Sequence, residues 1–137
     1  MAEPLKNSFG PSVVRTVADM VASAHPPFDR RRYLEVALDR FDELELTPRA
    51  KQVAEALAVA LPDDRAHALR IITRALDHEF PDGRLTGMAS FVYMPFGIFI
   101  AEEGLDHLEL SMAAQLELTQ RFTAEFSIRP FLERHPE

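Results

Sequence analysis

Apolar residues recur along this chain at three- and four-residue steps, and two-residue alternation is almost absent, so the pattern predicts helices rather than strands. Val13, Val14, Val17, Met20, Val21 and Ala24 form one face of a first segment that opens at Gly10-Pro11-Ser12. His25-Pro26-Pro27 ends it, because a residue before proline is pushed out of helical geometry. Asp29 is the expected cap of a second helix, with Phe28 stapled onto Tyr33 and Leu34, Ala37, Leu38 and Phe41 continuing the stripe. Thr47-Pro48 reads as cap plus first-turn proline of a third helix, which carries Ala50, Val53, Ala54, Leu57 and Leu61.

After a break at Pro62-Asp63-Asp64, Leu69, Ile72, Ala75 and Leu76 mark a fourth helix, followed by a loop at Pro81-Asp82-Gly83. A fifth is expected from near Pro95 to Gly104. A sixth is expected from Asp106, burying Leu108, Met112, Leu116 and Phe122 and ending near Ile128 or Arg129. First-helix starts near 11, 48 and 95 alternate with second-helix starts near 29, 64 and 106. Those steps match the spacing of HEAT-like repeats, although residue-by-residue self-similarity is weak. The expected fold is all-α, with antiparallel helix pairs in a HEAT-like superhelix. A compact bundle of six or seven helices is the competing architecture.

At 137 residues the chain has room for one domain, and its 47% hydrophobic and 27% charged content is that of a soluble globular core. With no cysteine, disulfides, thiolate metal sites, iron–sulfur clusters and a cysteine nucleophile are excluded. Five glycines form no phosphate-binding loop. The net charge of −7 argues against a free-standing nucleic-acid binder. It is unevenly spread: residues 1–74 balance 11 basic against 11 acidic side chains, whereas residues 75–137 set 4 against 11. The opening Met1–Lys6 has no basic region leading into an apolar stretch, so no export signal is expected and the expected location is the cytoplasm. The longest uncharged run, Leu85 to Ala101, spans 17 residues and contains Gly87, Pro95 and Gly97, which suits a buried helix with its entry loop rather than a membrane span.

Candidate chemistry is sparse. His25, His67, His78, His107 and His135 include no pair at i, i+4, so surface or capping roles and no metal or other cofactor are expected. Arg30-Arg31-Arg32 at a helix start could meet a phosphate, but Glu35 and Asp39 follow at helical spacing and favour a solvated ion-paired face. Phe91, Tyr93, Phe96, Phe99 and Ile100 are core by periodicity, with an exposed aromatic end or a small-molecule pocket as the alternatives. Near the C-terminus, Glu125 stands one turn after Arg121 and one turn before Arg129. By spacing alone Glu125 and Arg129 make a structural pair. The two guanidinium groups would also keep the carboxylate ionised, which suits stabilisation of a sugar cation beside a phosphate backbone.

The runs Gly104-Leu105-Asp106-His107, Ser111-Met112, Thr119-Gln120-Arg121-Phe122-Thr123-Ala124-Glu125-Phe126 and Arg129-Pro130-Phe131-Leu132 resemble the AlkC branch of bacterial DNA alkylation repair proteins, relatives of the AlkD glycosylases. Leu5-Lys6, Phe9-Gly10-Pro11 and Tyr93-Met94-Pro95 are similar to that branch as well. The resemblance covers nearly the whole chain and is most specific in its last 30 residues. It implies a HEAT-like solenoid holding duplex DNA, and hydrolysis of the N-glycosidic bond of cationic alkylated purines such as N3-methyladenine, without extrusion of the base. It also implies that Glu125 is the active-site carboxylate and that Phe126 contacts the lesion. Arg121 and Arg129, as phosphate- or carboxylate-orienting groups, rest on helical spacing alone.

The family continues beyond this motif with a second acidic residue, an aromatic and much of its basic surface. Residues 1–137 are therefore expected to be the N-terminal helical-repeat portion of a longer protein, inactive by themselves, with duplex DNA carrying an alkylated base as partner. A non-catalytic scaffold that self-associates through the aromatic end, as a homo-oligomer, is the alternative.

Overall fold

Local capping decides where several of the helices begin. In the computed structural model, which describes residues 9–77 and 89–126, helix α1 spans Pro11–Ala24 and α2 spans Arg30–Ala37. Asp29 accepts from the Arg32 backbone N–H at 3.1 Å, and the Phe28 and Tyr33 rings meet at 5.5 Å, as the capping and staple pattern required. Helix α2 stops at Ala37, short of the expected Phe41. Arg40 then takes a left-handed conformation (φ 52°) and Phe41–Glu43 form a 3-10 turn. The Gln52 side chain closes this end, donating to the Ala37 and Asp39 carbonyls at 2.9 and 2.7 Å.

Helix α3 spans Leu46–Ala60 and α4 spans Arg65–Leu76. Thr47 is not the cap of α3: the helix starts one residue earlier, so Thr47 and Pro48 occupy its first turn, where a proline deprives the helix of no bond. Asp64 caps α4, accepting from the N–H groups of Ala66 and His67 at 3.0 and 3.4 Å.

Helix α5 spans Ala89–Glu103 and α6 spans Leu108–Phe126. Pro95 therefore lies inside α5 and not at its start. An interior proline costs about 3 kcal/mol. Val92, Tyr93, Phe96, Phe99 and Ile100 are all buried on the same helix at about 1.5–3 kcal/mol each, which outweighs it. The turn into α6 needs Gly104, since a Cβ there would collide with Ser111 Oγ and stand 2.5 Å from the Ile100 carbonyl oxygen.

The helices stack in two rows. Helices α1, α4 and α6 pack in succession in one, α2, α3 and α5 in the other, and contacts of α5 with α1, α4 and α6 join them. The fold is all-α, and no strand occurs among the described residues. One continuous apolar core fills the space between the rows, centred on Tyr33, Met20, Leu57, Leu69, Ile72 and Phe96. Burial pushes the Tyr33 phenol well above its ordinary pKa, and its hydroxyl donates to the Val14 carbonyl at 2.8 Å.

Two arginines hold the rows in place. Arg49, only 5% exposed, donates to the carbonyls of Leu44 (2.9 Å) and Phe9 (3.0 Å) and stacks over the Phe41 ring at 4.3 Å. Arg65 donates to the Ala58 and Pro62 carbonyls and pairs with Glu103 of α5 at 3.2 Å.

Candidate functional site

The aromatic region does not form an exposed end. Tyr93, Phe96 and Phe99 are buried and Phe91 is half-buried, with the Phe91 ring edge-on to Phe9 at 6.2 Å. Self-association through these rings does not fit that packing, because α5 is flanked by α1, α3, α4 and α6.

Exposed apolar surface lies instead on α6 and the turn before it. Leu108, Met112 and Leu116, expected to face the core, are 69%, 67% and 59% exposed, and Leu105 is 75% exposed. The side that packs inward carries buried Ala114 with half-buried Leu110 and Leu118. Helix α6 thus has two apolar sides, and the described residues cover one.

Arg121, Glu125 and Phe126 fall in the last turns of α6. Arg129 lies outside the described residues. Helix α6 packs on α4 and α5, which makes α4 the candidate site's neighbour in its own row.

Sequence periodicity did not single out the outer side of α4. There His67, Arg70 and Arg74 follow at i, i+3 and i+7 opposite buried Ala68, Leu69, Ile71, Ile72 and Ala75. His25, whose N–H closes α1 on the Val21 carbonyl at 2.8 Å, sets its ring edge-on to His67 at 5.6 Å. Burial holds the His25 pKa below its ordinary value, and the charges of His67 and Arg74 depress it further. Arg70 lines a groove of about 320 Å³ with His107, Leu108, Glu109 and Leu110.

The arginine triplet behaves as a solvated face: Arg31 pairs with Glu35 at 3.1 Å and Arg30 with Asp19 of α1 at 2.6 Å. No three histidine, aspartate or glutamate side chains gather in a metal-binding arrangement among the described residues.

No family model matches the chain. The structure of Pseudomonas fluorescens alkylpurine DNA glycosylase AlkC, bound to DNA containing an abasic site analog, superimposes on it with a TM-score of 0.73 and 28% identity, covering 95% of this chain and 34% of that one. The chain is AlkC-like. Its two-row stack of helix pairs is that protein's HEAT-like helical-repeat architecture. The uncharacterized protein YhaZ of Bacillus subtilis strain 168 is 30% identical over 129 residues, 93% of this chain and 34% of its own length. The AlkC-like chain thus spans about a third of each of these relatives. Among the described residues, no helix is long and apolar enough to cross a membrane.

Proposed function

We propose that this chain is the N-terminal helical-repeat portion of a DNA alkylation repair glycosylase that hydrolyses the N-glycosidic bond of cationic N-alkylated purines such as N3-methyladenine. The observation that carries the reading is the likeness to AlkC along 95% of the chain, at 28% identity and with a TM-score of 0.73. The motif around Glu125 supports it from the sequence side.

An alkylated purine leaves carrying the glycosidic electron pair and becomes neutral, so no strong general acid is needed. Positive charge grows on the deoxyribose. The Glu125 carboxylate offsets that charge and orients the water that adds to the sugar carbon, with the water's proton leaving to solvent or to the carboxylate. Arg121 and Arg129 hold flanking phosphates and keep Glu125 ionised, and Phe126 packs at the lesion. The products are free base and an abasic site.

The test is release of N3-methyladenine from methylated duplex by the longest natural polypeptide that contains these residues. Excision leaving abasic sites is expected, with little or none from residues 1–137 alone. No release by the long protein would overturn the reading.

One observation favours a second reading, a non-catalytic scaffold. The stripe of Leu105, Leu108, Met112 and Leu116 exposes apolar surface of the kind helical repeats bury against a neighbour. Salt-insensitive association lost in Met112→Glu, in a protein that releases no base, would support it.

A further inference from the structure

Five large apolar side chains stand exposed among the described residues: Val59 on α3, and Leu105, Leu108, Met112 and Leu116 together along α6 and the turn before it. The four on α6 and its turn expose apolar surface on the order of 400 Å², the size at which a patch on a monomer marks an interaction site. Among residues 108–120 the one exposed charge is Glu109, and Ala113, Gln115, Thr119 and Gln120 complete the face with small or uncharged groups.

The stripe is symmetric about its middle. Leu108 lies four residues before Met112 and Leu116 four after it, a ridge about 12 Å long on one face of the helix. Ridges of this i, i+4 kind interdigitate in the commonest class of helix packing, with axes crossing at about 50°. When a copy of the ridge is turned about a two-fold axis at Met112, Leu108 lies against the copy's Leu116 and Met112 against the copy's Met112. The polar positions match as well. Glu109, three before Met112, faces the copy's Gln115, three after it, so like charges are not opposed and the amide has an acceptor in the carboxylate. Leu105, seven before, faces the copy's Thr119, seven after, whose methyl group extends the apolar contact.

We infer that the outer side of α6 is a self-association surface, covered by a second copy of this chain in a two-fold pair centred on Met112. With its polar rim the pair buries about 1,000 Å², the low end for a specific interface, which corresponds to a dissociation constant on the order of 10–100 µM. The inference rests on the exposed stripe that favours the scaffold reading and deepens that reading by naming the neighbour. Association is measured apart from the base release that tests the glycosylase reading, so each can fail without the other.

The experiment is sedimentation velocity of residues 1–137 over a concentration series, joined to cysteine cross-linking. Wild type is expected to be monomeric at about 1 µM and mostly dimeric at about 200 µM. Added salt should not weaken the dimer, since the contact is apolar and each copy carries −7. Met112→Glu sets two carboxylates against each other at the axis and should weaken association at least about tenfold. Glutamate is a good helix former at an exposed position, and circular dichroism checks folding. The chain has no cysteine, so introduced thiols report which positions meet. Under a mild oxidant Met112→Cys should cross-link to itself, and Leu108→Cys to Leu116→Cys faster than either to its own kind, with Lys51→Cys on exposed α3 surface as the collision control. A wild type that stays monomeric at about 200 µM overturns the pair. So does a dimer that survives Met112→Glu, or one whose Met112→Cys cross-links no faster than Lys51→Cys. If the longest natural polypeptide containing these residues is monomeric and shields Met112 from oxidation, its own further residues cover the stripe, and that too overturns a second copy as the occupant.

Discussion

Helices α4 and α6 lie side by side in one row, yet they present opposite surfaces to solvent. Helix α4 has α1 on one side and α6 on the other, so its apolar residues are all covered and its outward positions are His67, Arg70 and Arg74. Helix α6 has α4 and α5 on one side only, and its Leu108, Met112 and Leu116 stand open beside Glu109. In a stack of repeats a helix is finished only when both neighbours are present. On this comparison the α4 side is a completed surface, and the α6 side is apolar surface that no described residue covers.

Truncating one apolar residue on each helix sharpens that contrast most. Ile72→Ala should cost about 2–5 kcal/mol, because it opens a cavity in a fully buried part of α4. Met112→Ala should stay within about 0.5 kcal/mol in the isolated chain. Denaturant midpoints give both values, and a large loss for Met112→Ala would mean that the stripe is already covered. Gly104→Ala comes next, at about 1–3 kcal/mol, since the added methyl must push apart the turn that docks α6 on α5.

How much of this was legible in the sequence divides along the same line. Helix α1, the Asp29 cap and the Phe28–Tyr33 staple were readable because they depend on residues only a few positions apart. The existence of α6 was readable too, but its orientation was not. Leu108, Met112 and Leu116 share a face by spacing, and so do Leu110, Ala114 and Leu118. Periodicity tells which residues go together, not which of two apolar faces has a neighbour. Pro95 misled for a related reason: burial of the rings around it outweighs the local preference for a helix start. Arg49 had no local signal at all, since its partner carbonyl on Phe9 is 40 positions away. Glu125 is singled out only by its resemblance to a family motif, since helical spacing alone makes it half of an ion pair.

Two smaller effects probe the α4 side. Asp64→Ala removes the α4 cap and should cost about 1 kcal/mol in a thermal melt. Protonation of His25 gives the smallest effect. Its folded pKa lies below the ordinary 6.5, so the unfolded chain takes up the proton first and stability falls as pH drops through that value. Above it, both states are neutral and nothing changes. His25→Asn should flatten this acid-side loss, and a wild-type melting temperature that rises on acidification from pH 7 to 6 would contradict the sign.

The central claim concerns Glu125, and one substitution addresses it. Glu125→Gln keeps a good helix former in the last turn of α6, and an exposed i, i+4 pair of a helix is worth only about 0.3–0.5 kcal/mol. Loss of a carboxylate facing the sugar cation costs on the order of 3 kcal/mol in the transition state, or about a hundredfold in rate. The decisive measurement is the single-turnover rate of N3-methyladenine release by Glu125→Gln in the longest natural polypeptide containing these residues, taken alongside its melting temperature. The account predicts near-normal melting with excision slowed about a hundredfold. Excision at the wild-type rate would contradict it and leave Glu125 a surface residue of a helix.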